Sequence, residues 1–126
     1  TLASYAINSS IAKAGIDPSE VEDVIMGAAV QQGTQGYNIG RLSAAASGLP
    51  SHVPGMSVDR QCASGLMAIA IGAKQIACNE MDIVIGGGVV VVVSANTIVF
   101  DTAGFLIREG NSSLVCAVVG SEVNQL

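Results

Sequence analysis

Ser57-Val58-Asp59-Arg60-Gln61-Cys62-Ala63-Ser64-Gly65-Leu66-Met67-Ala68-Ile69-Ala70 is the stretch whose reading decides the fold. Val53 to Asp59 is β-leaning, whereas residues 63 to 77 are rich in Ala, Ile and Met and contain no proline. A strand therefore hands over to a helix around Cys62. A cysteine at that junction meets the first N–H groups of the helix, which have no partner inside it. Their dipoles favour thiolate over thiol. The thiolate is the nucleophilic form, so the placement suits acyl transfer. The same N–H groups are suited to steady an oxyanion.

Outward from this stretch, strands and helices alternate. Residues 3 to 14 read as a helix, with Ala6, Ile7, Ile11 and Ala14 at helical spacing and Gly15 as its stop. Asp17-Pro18-Ser19-Glu20 reads as a capped turn, Asp17 capping and Pro18 in first position. Val24 to Val30 is strand-like and Gln31 to Gly36 a Gly/Gln loop. A second helix runs from Tyr37 or Asn38 to Ser47, before Gly48 and Pro50. Asp82 to Val89 is a further strand. This order predicts a layered α/β domain with a mixed or parallel sheet. Ile83 to Val93 lacks polar alternation, which predicts a strand buried on both faces.

Composition narrows the function classes. Half of the 126 residues are hydrophobic and only 12% are charged, which suggests that some surface is buried against another subunit or another part of the fold. The net charge is −5, and Lys13, Arg41, Arg60, Lys74 and Arg108 stand singly. Neither nucleic acid nor an anionic membrane surface fits that distribution. Ile83 to Phe100 is an uncharged run of nearly membrane-spanning length. It contains Gly86-Gly87-Gly88, Ser94, Asn96 and Thr97 among many valines and isoleucines, so two buried strands joined by a turn explain it better. Cys62, Cys78 and Cys116 form no disulfide framework, and a single histidine without a C-x-x-C pair argues against zinc. The expected location is the cytoplasm or an organelle lumen under reducing conditions. No secretory signal pattern leads the chain, so secretion is not expected.

Asp59 to Ala68 resembles the nucleophile segment of the thiolase family, the 3-ketoacyl-CoA thiolases and acetyl-CoA acetyltransferases. Val24-Ile25-Met26-Gly27, Gly36-Tyr37-Asn38-Ile39-Gly40-Arg41, Ala46-Ser47-Gly48-Leu49-Pro50 and Met81-Asp82-Ile83-Val84-Ile85-Gly86-Gly87-Gly88 are similar to thiolase sequence, in thiolase order. Residues 1–89 thus look like a thiolase N-terminal domain from which the first strand is missing; residues 90–126 are a β-rich continuation that departs from the pattern. The resemblance implies a partial thiolase-like domain, a five-stranded mixed sheet covered by helices. It implies acyl transfer through a cysteine acyl-enzyme at Cys62, by thiolytic cleavage of 3-ketoacyl-CoA or condensation of acetyl-CoA. It also implies coenzyme A thioesters as substrates, no tightly bound cofactor, no metal, and a homodimer or homotetramer. Gln61 looks more like the degradative branch.

The resemblance has gaps. Val90 stands where the family carries an acidic residue. Thr102-Ala103-Gly104 and Asn111-Ser112-Ser113 echo a later thiolase segment but are separated by Phe105 to Gly110. The family's Gly-His-Pro histidine and Cys-x-Gly second cysteine have no counterpart here. His52 reads as a loop histidine without a catalytic role, Cys78 as structural and Cys116 as a buried strand cysteine. Asn38 and Arg41 suit capping or an interface more than substrate contact. Gly86-Gly87-Gly88 lacks a phosphate-loop pattern and is better read as letting a strand pass close to the helix after Cys62. Two alternatives stay open: a catalytically incomplete thiolase fragment or paralogue acting as a scaffold, and a ketoacyl synthase-type condensing enzyme.

Overall fold

A computed structural model describes residues 2–89 in full and the backbone of residues 90, 104–109 and 112–120. Its elements, in chain order, are α1 (Leu2–Ala14), β1 (Asp23–Ala28), α2 (Ile39–Ala46), β2 (Met56–Val58), α3 (Ser64–Ala77), β3 (Ile83–Val90), β4 (Gly104–Glu109) and β5 (Ser112–Gly120). Short 3₁₀ turns occupy Pro18–Glu20 and Gly33–Gln35. The strands form one five-stranded sheet in the order β2-β1-β3-β5-β4. β2, β1, β3 and β5 run parallel, and β4 returns antiparallel to β5. This is the mixed α/β sheet that the sequence predicts.

The helices cover both faces because the strand side chains alternate. Val24 and Met26 of β1 and Ile85 of β3 pack with Ala3, Ile7 and Ile11 of α1, Ala44 of α2, and Leu49 and Val53. Ile25 and Val84 point the other way, onto Ala68 of α3, with Met56, Ile69 and Ile76 around them. Every residue of β1 is buried, as expected for a central strand with helices above and below.

The helix ends follow local chemistry. Gly15, at φ +67°, donates its N–H to Ile11 O at 3.0 Å and closes α1. α2 ends on Gly48 at φ +75°; Gly48 N–H reaches Ala45 O and Leu49 N–H reaches Ala44 O, a Schellman arrangement that tucks in the buried Leu49. α3 ends in the same way on Asn79, at φ +55°. Asn79 N–H donates to Ile76 O at 3.0 Å and Glu80 N–H to Gln75 O at 2.9 Å. The Asp17 turn forms as predicted: Asp17 Oδ1 accepts from Ser19 N–H at 2.8 Å, and Asp17 N–H donates to Glu20 Oε2 at 3.0 Å.

Three strand readings shift in detail. The first strand is Asp23–Ala28 rather than Val24 to Val30. The second is only Met56–Val58, because Pro54 has no N–H for the ladder and Gly55 packs on the α2 backbone. The third, read as Asp82 to Val89, is described over Ile83–Val90, and the rest of the uncharged run, residues 91–100, lies outside the described residues. Among the described residues no helix is long and apolar enough to cross a membrane.

Candidate active site

β2 and α3 are joined by the turn Asp59–Ala63, which carries Cys62 beyond the carboxyl end of β2. Cys62 is a free, exposed cysteine. Open α/β sheets bind their ligands at the carboxyl ends of parallel strands, so the cysteine occupies the chemically useful edge of the sheet. Ala63 is the N-cap residue of α3 and makes no side-chain cap hydrogen bond.

Close packing holds this turn against the sheet. Gly27 of β1 lies under the start of α3; a Cβ there would stand less than 3.0 Å from Ser64 C, Ser64 O and Gly65 N. A Cβ on Gly88 would come within 2.8 Å of Gly65 Cα, and one on Gly86 within 3.0 Å of Ile69 Cα. The glycines of β1 and β3 thus let α3 lie almost on the strand backbones. The triple glycine falls inside β3, in register with Ile25, Met26 and Gly27 of β1. Gly86 and Gly88, two apart and so on one face, seat the helix as the sequence reading preferred, and the same contact accounts for Gly65.

The turn is internally bonded. Gln61 sits at φ +51°, in the left-handed region that non-glycine residues seldom adopt. Its N–H donates to Asp59 Oδ1 at 2.9 Å. Its carbonyl accepts Ser64 N–H at 3.1 Å and Ser64 Oγ at 2.6 Å. Ser64 Oγ in turn accepts Arg60 N–H at 2.8 Å, and Ala63 N–H donates to Arg60 O at 3.1 Å. The Arg60 guanidinium lies 3.3 Å from Met67 Sδ, one turn into α3.

Asn38 and Arg41 act as a clamp between α2 and β2. Asn38 Oδ1 caps α2 by accepting Arg41 N–H at 3.1 Å, and it also accepts Ser57 Oγ at 3.2 Å. Asn38 Nδ2 donates to Gly55 O at 2.7 Å. The Arg41 guanidinium donates to Val53 O at 2.7 Å and to Ser51 O at 3.3 Å. Of the two roles the sequence reading favoured, capping or an interface, these contacts show the cap: Asn38 closes the start of α2. Ser57, Gly40 and Gly55 belong to the same clamp, and nothing in the sequence signalled them beyond small size.

His52 is exposed in the loop that Arg41 grips. Cys78 is the exposed C-cap of α3, a helix length of roughly 20 Å from the Cys62 end. Cys116 belongs to β5, opposite Gly86. Among the described residues no hydrogen bond links the side chain of His52 or Cys78 to the Cys62 turn. Among the described residues no three His, Cys, Asp or Glu side chains gather to hold a metal ion. The perturbed carboxylates are elsewhere. Burial raises the pKa of Asp23, at the opposite end of β1, against the lowering effect of Val24 N–H. Ser19, through its side chain and then its backbone, lowers that of the exposed Asp17.

The model of the thiolase N-terminal domain matches residues 1–115. A steroid 3-ketoacyl-CoA thiolase, FadA6, of Mycobacterium tuberculosis is 49% identical over 74 residues, which is 59% of this chain and 18% of that protein. A probable acetyl-CoA acyltransferase of Staphylococcus aureus is 35% identical over 118 residues, 94% of this chain and 30% of its own length. The crystal structure of the Bacillus anthracis acetyl-CoA acetyltransferase superposes with a TM-score of 0.68 at 34% identity, covering 79% of this chain and 25% of that one. The chain therefore spans less than a third of the length of these relatives. With its α/β sheet and the match over residues 1–115, the chain belongs to the thiolase family.

Proposed function

We propose that Cys62 is the nucleophile of a thiolase-type acyltransferase acting on coenzyme A thioesters. The observation that carries this reading is an exposed cysteine beyond the carboxyl end of β2, two residues before α3 begins, in a chain of the thiolase family. The sulfur attacks the acyl carbonyl, the oxyanion forms beside the turn's backbone N–H groups, and the acyl group stays on Cys62 as a thioester. In the thiolytic direction the bond broken is between the α- and β-carbons of a 3-ketoacyl-CoA, acetyl-CoA leaves, and a second coenzyme A takes the acyl group. No cofactor is needed beyond coenzyme A. Relatives named 3-ketoacyl-CoA thiolase and beta-ketoadipyl-CoA thiolase favour this direction, as does Gln61.

The family's Gly-His-Pro histidine and Cys-x-Gly second cysteine have no counterpart in these residues, so turnover on this reading needs those groups supplied by a thiolase C-terminal half. The outer face of α3 supports this arrangement. The helix is apolar around most of its circumference, yet only Ser64, Ala68 and Gly72 are buried, and Leu66 is 72% exposed. Such a helix normally lies between layers. A homodimer or homotetramer is part of the same proposal.

A scaffold role is the second reading, favoured by the lack of the family's Gly-His-Pro and Cys-x-Gly motifs in these residues. The two are separated by assaying cleavage of acetoacetyl-CoA after the chain is combined with a thiolase C-terminal half. Cleavage that disappears in Cys62→Ser supports the enzyme. A folded pair without cleavage supports the scaffold.

A further inference from the structure

We infer that Ser64, with Asp59 as its exposed counterpart, is a positioning residue that sets the direction of the Gln61–Cys62 peptide and thereby the oxyanion-binding N–H of Cys62. This rests on the reading of Cys62 as the acyl acceptor. Ser64 is buried, at 4% exposure. A serine at a helix start ordinarily accepts a hydrogen bond from the helix's own first turn. Here the hydroxyl faces back into the preceding turn instead. It takes Arg60 N–H at 2.8 Å and gives its proton to Gln61 O at 2.6 Å.

Peptide planarity converts this contact into an orientation. The Gln61 carbonyl and the Cys62 N–H belong to one rigid trans unit and point in opposite directions. Ser64 holds that carbonyl twice, through Oγ and through its own N–H. Asp59 holds the other side of Gln61, accepting its N–H at 2.9 Å. Together the two bonds stabilise the left-handed Gln61, at φ +51°. Ser64 has little room to drift, because Gly27 lies directly against its backbone. The bonded peptide is therefore fixed relative to β1 before any substrate arrives, and preorganised donors of this kind carry much of acyl-transfer catalysis.

The test compares two reactions of the same sulfur. With acetyl-CoA, a new S–acetyl bond forms at Cys62 while the bond from the acetyl carbon to the coenzyme A sulfur breaks; the thiol proton leaves with the coenzyme A thiol. That step passes through an oxyanion. With iodoacetamide, sulfur displaces iodide and no oxyanion forms. Both rates are measured at Cys62 by mass spectrometry in the wild type, Ser64→Ala, Ser64→Thr and Asp59→Ala. Ser64→Ala should lower acetylation at least tenfold and leave alkylation within about threefold. Ser64→Thr, which keeps the hydroxyl, should recover much of the loss. Asp59→Ala changes an exposed residue, so folding is not at stake; it should lower the acetylation-to-alkylation ratio in the same sense. An unchanged ratio in Asp59→Ala and Ser64→Ala overturns the proposal, as does an equal fall of both rates in Ser64→Ala. A wild type that is alkylated but never acetylated removes the Cys62 reading itself and the proposal with it.

Discussion

Adding a single methyl group at successive glycines should destabilise the chain in an order set by distance. A Cβ on Gly86 would meet Ile69 Cα at 3.0 Å, one on Gly88 would meet Gly65 Cα at 2.8 Å, and one on Gly27 would come closer still to three backbone atoms of Ser64 and Gly65. Ordinary contact begins near 3.4 Å, so α3 and β3 must separate by about 0.6 Å to admit Gly88→Ala. The obstructing atoms are backbone, which cannot rotate away. Overpacking of this kind costs about 1–3 kcal/mol, partly offset by up to about 1 kcal/mol from the reduced freedom of the unfolded chain. Gly86→Ala should therefore lose about 1 kcal/mol, Gly88→Ala about 2 kcal/mol and Gly27→Ala about 3 kcal/mol or more. Gly15→Ala is the control: no atom lies within 4 Å of its Cβ position, so only the strain of φ +67° counts, about 1 kcal/mol. Urea denaturation followed by circular dichroism reads all four. A Gly27→Ala protein no less stable than Gly15→Ala would refute the claim that α3 is seated on the strand backbones.

Asp23 is buried and its pKa is raised, so the folded state holds its proton more tightly than the unfolded chain and stability falls as pH rises from the ordinary 3.8 through the raised value. Asp23→Asn should be the more stable protein at neutral pH, the difference closing in acid; a pH-independent difference in urea titrations would contradict this. Asn38→Ala removes the α2 cap and the bonds to Gly55 O and Ser57 Oγ, and should cost about 1–2 kcal/mol in thermal or urea unfolding; no loss would show that the clamp is dispensable. Leu66→Gln changes a residue that is 72% exposed, so stability should stay within about 0.5 kcal/mol while self-association in sedimentation falls; a large stability loss would mean that Leu66 is packed.

The layered fold was legible because periodicity and punctuation agree. Ala6, Ile7 and Ile11 repeat at helical spacing, Gly15 and Gly48 stop helices at positive φ, and the Asp17 turn carries its own cap. Strand ends were less legible. β2 is short because Gly55 must lie against the Arg41 backbone, a contact made across 14 residues of sequence. The triple glycine was legible as a close-approach device, but its partners Gly27 and Gly65 lie on other elements and become visible only in register. The brace around Cys62 was not legible. Ser64 looks like any residue that starts a helix, and the direction of its hydroxyl depends on Gln61 adopting a left-handed backbone.

Cys62 as acyl acceptor is the central claim, and one labelling experiment tests it most directly. The folded chain is incubated with acetyl-CoA, quenched, and the peptide containing Cys62 is mapped by mass spectrometry. The account predicts an acetyl group on Cys62, absent from Cys62→Ser, with the exposed Cys78 unlabelled. A folded protein in which Cys62 stays free, or in which Cys78 is labelled equally, would contradict it.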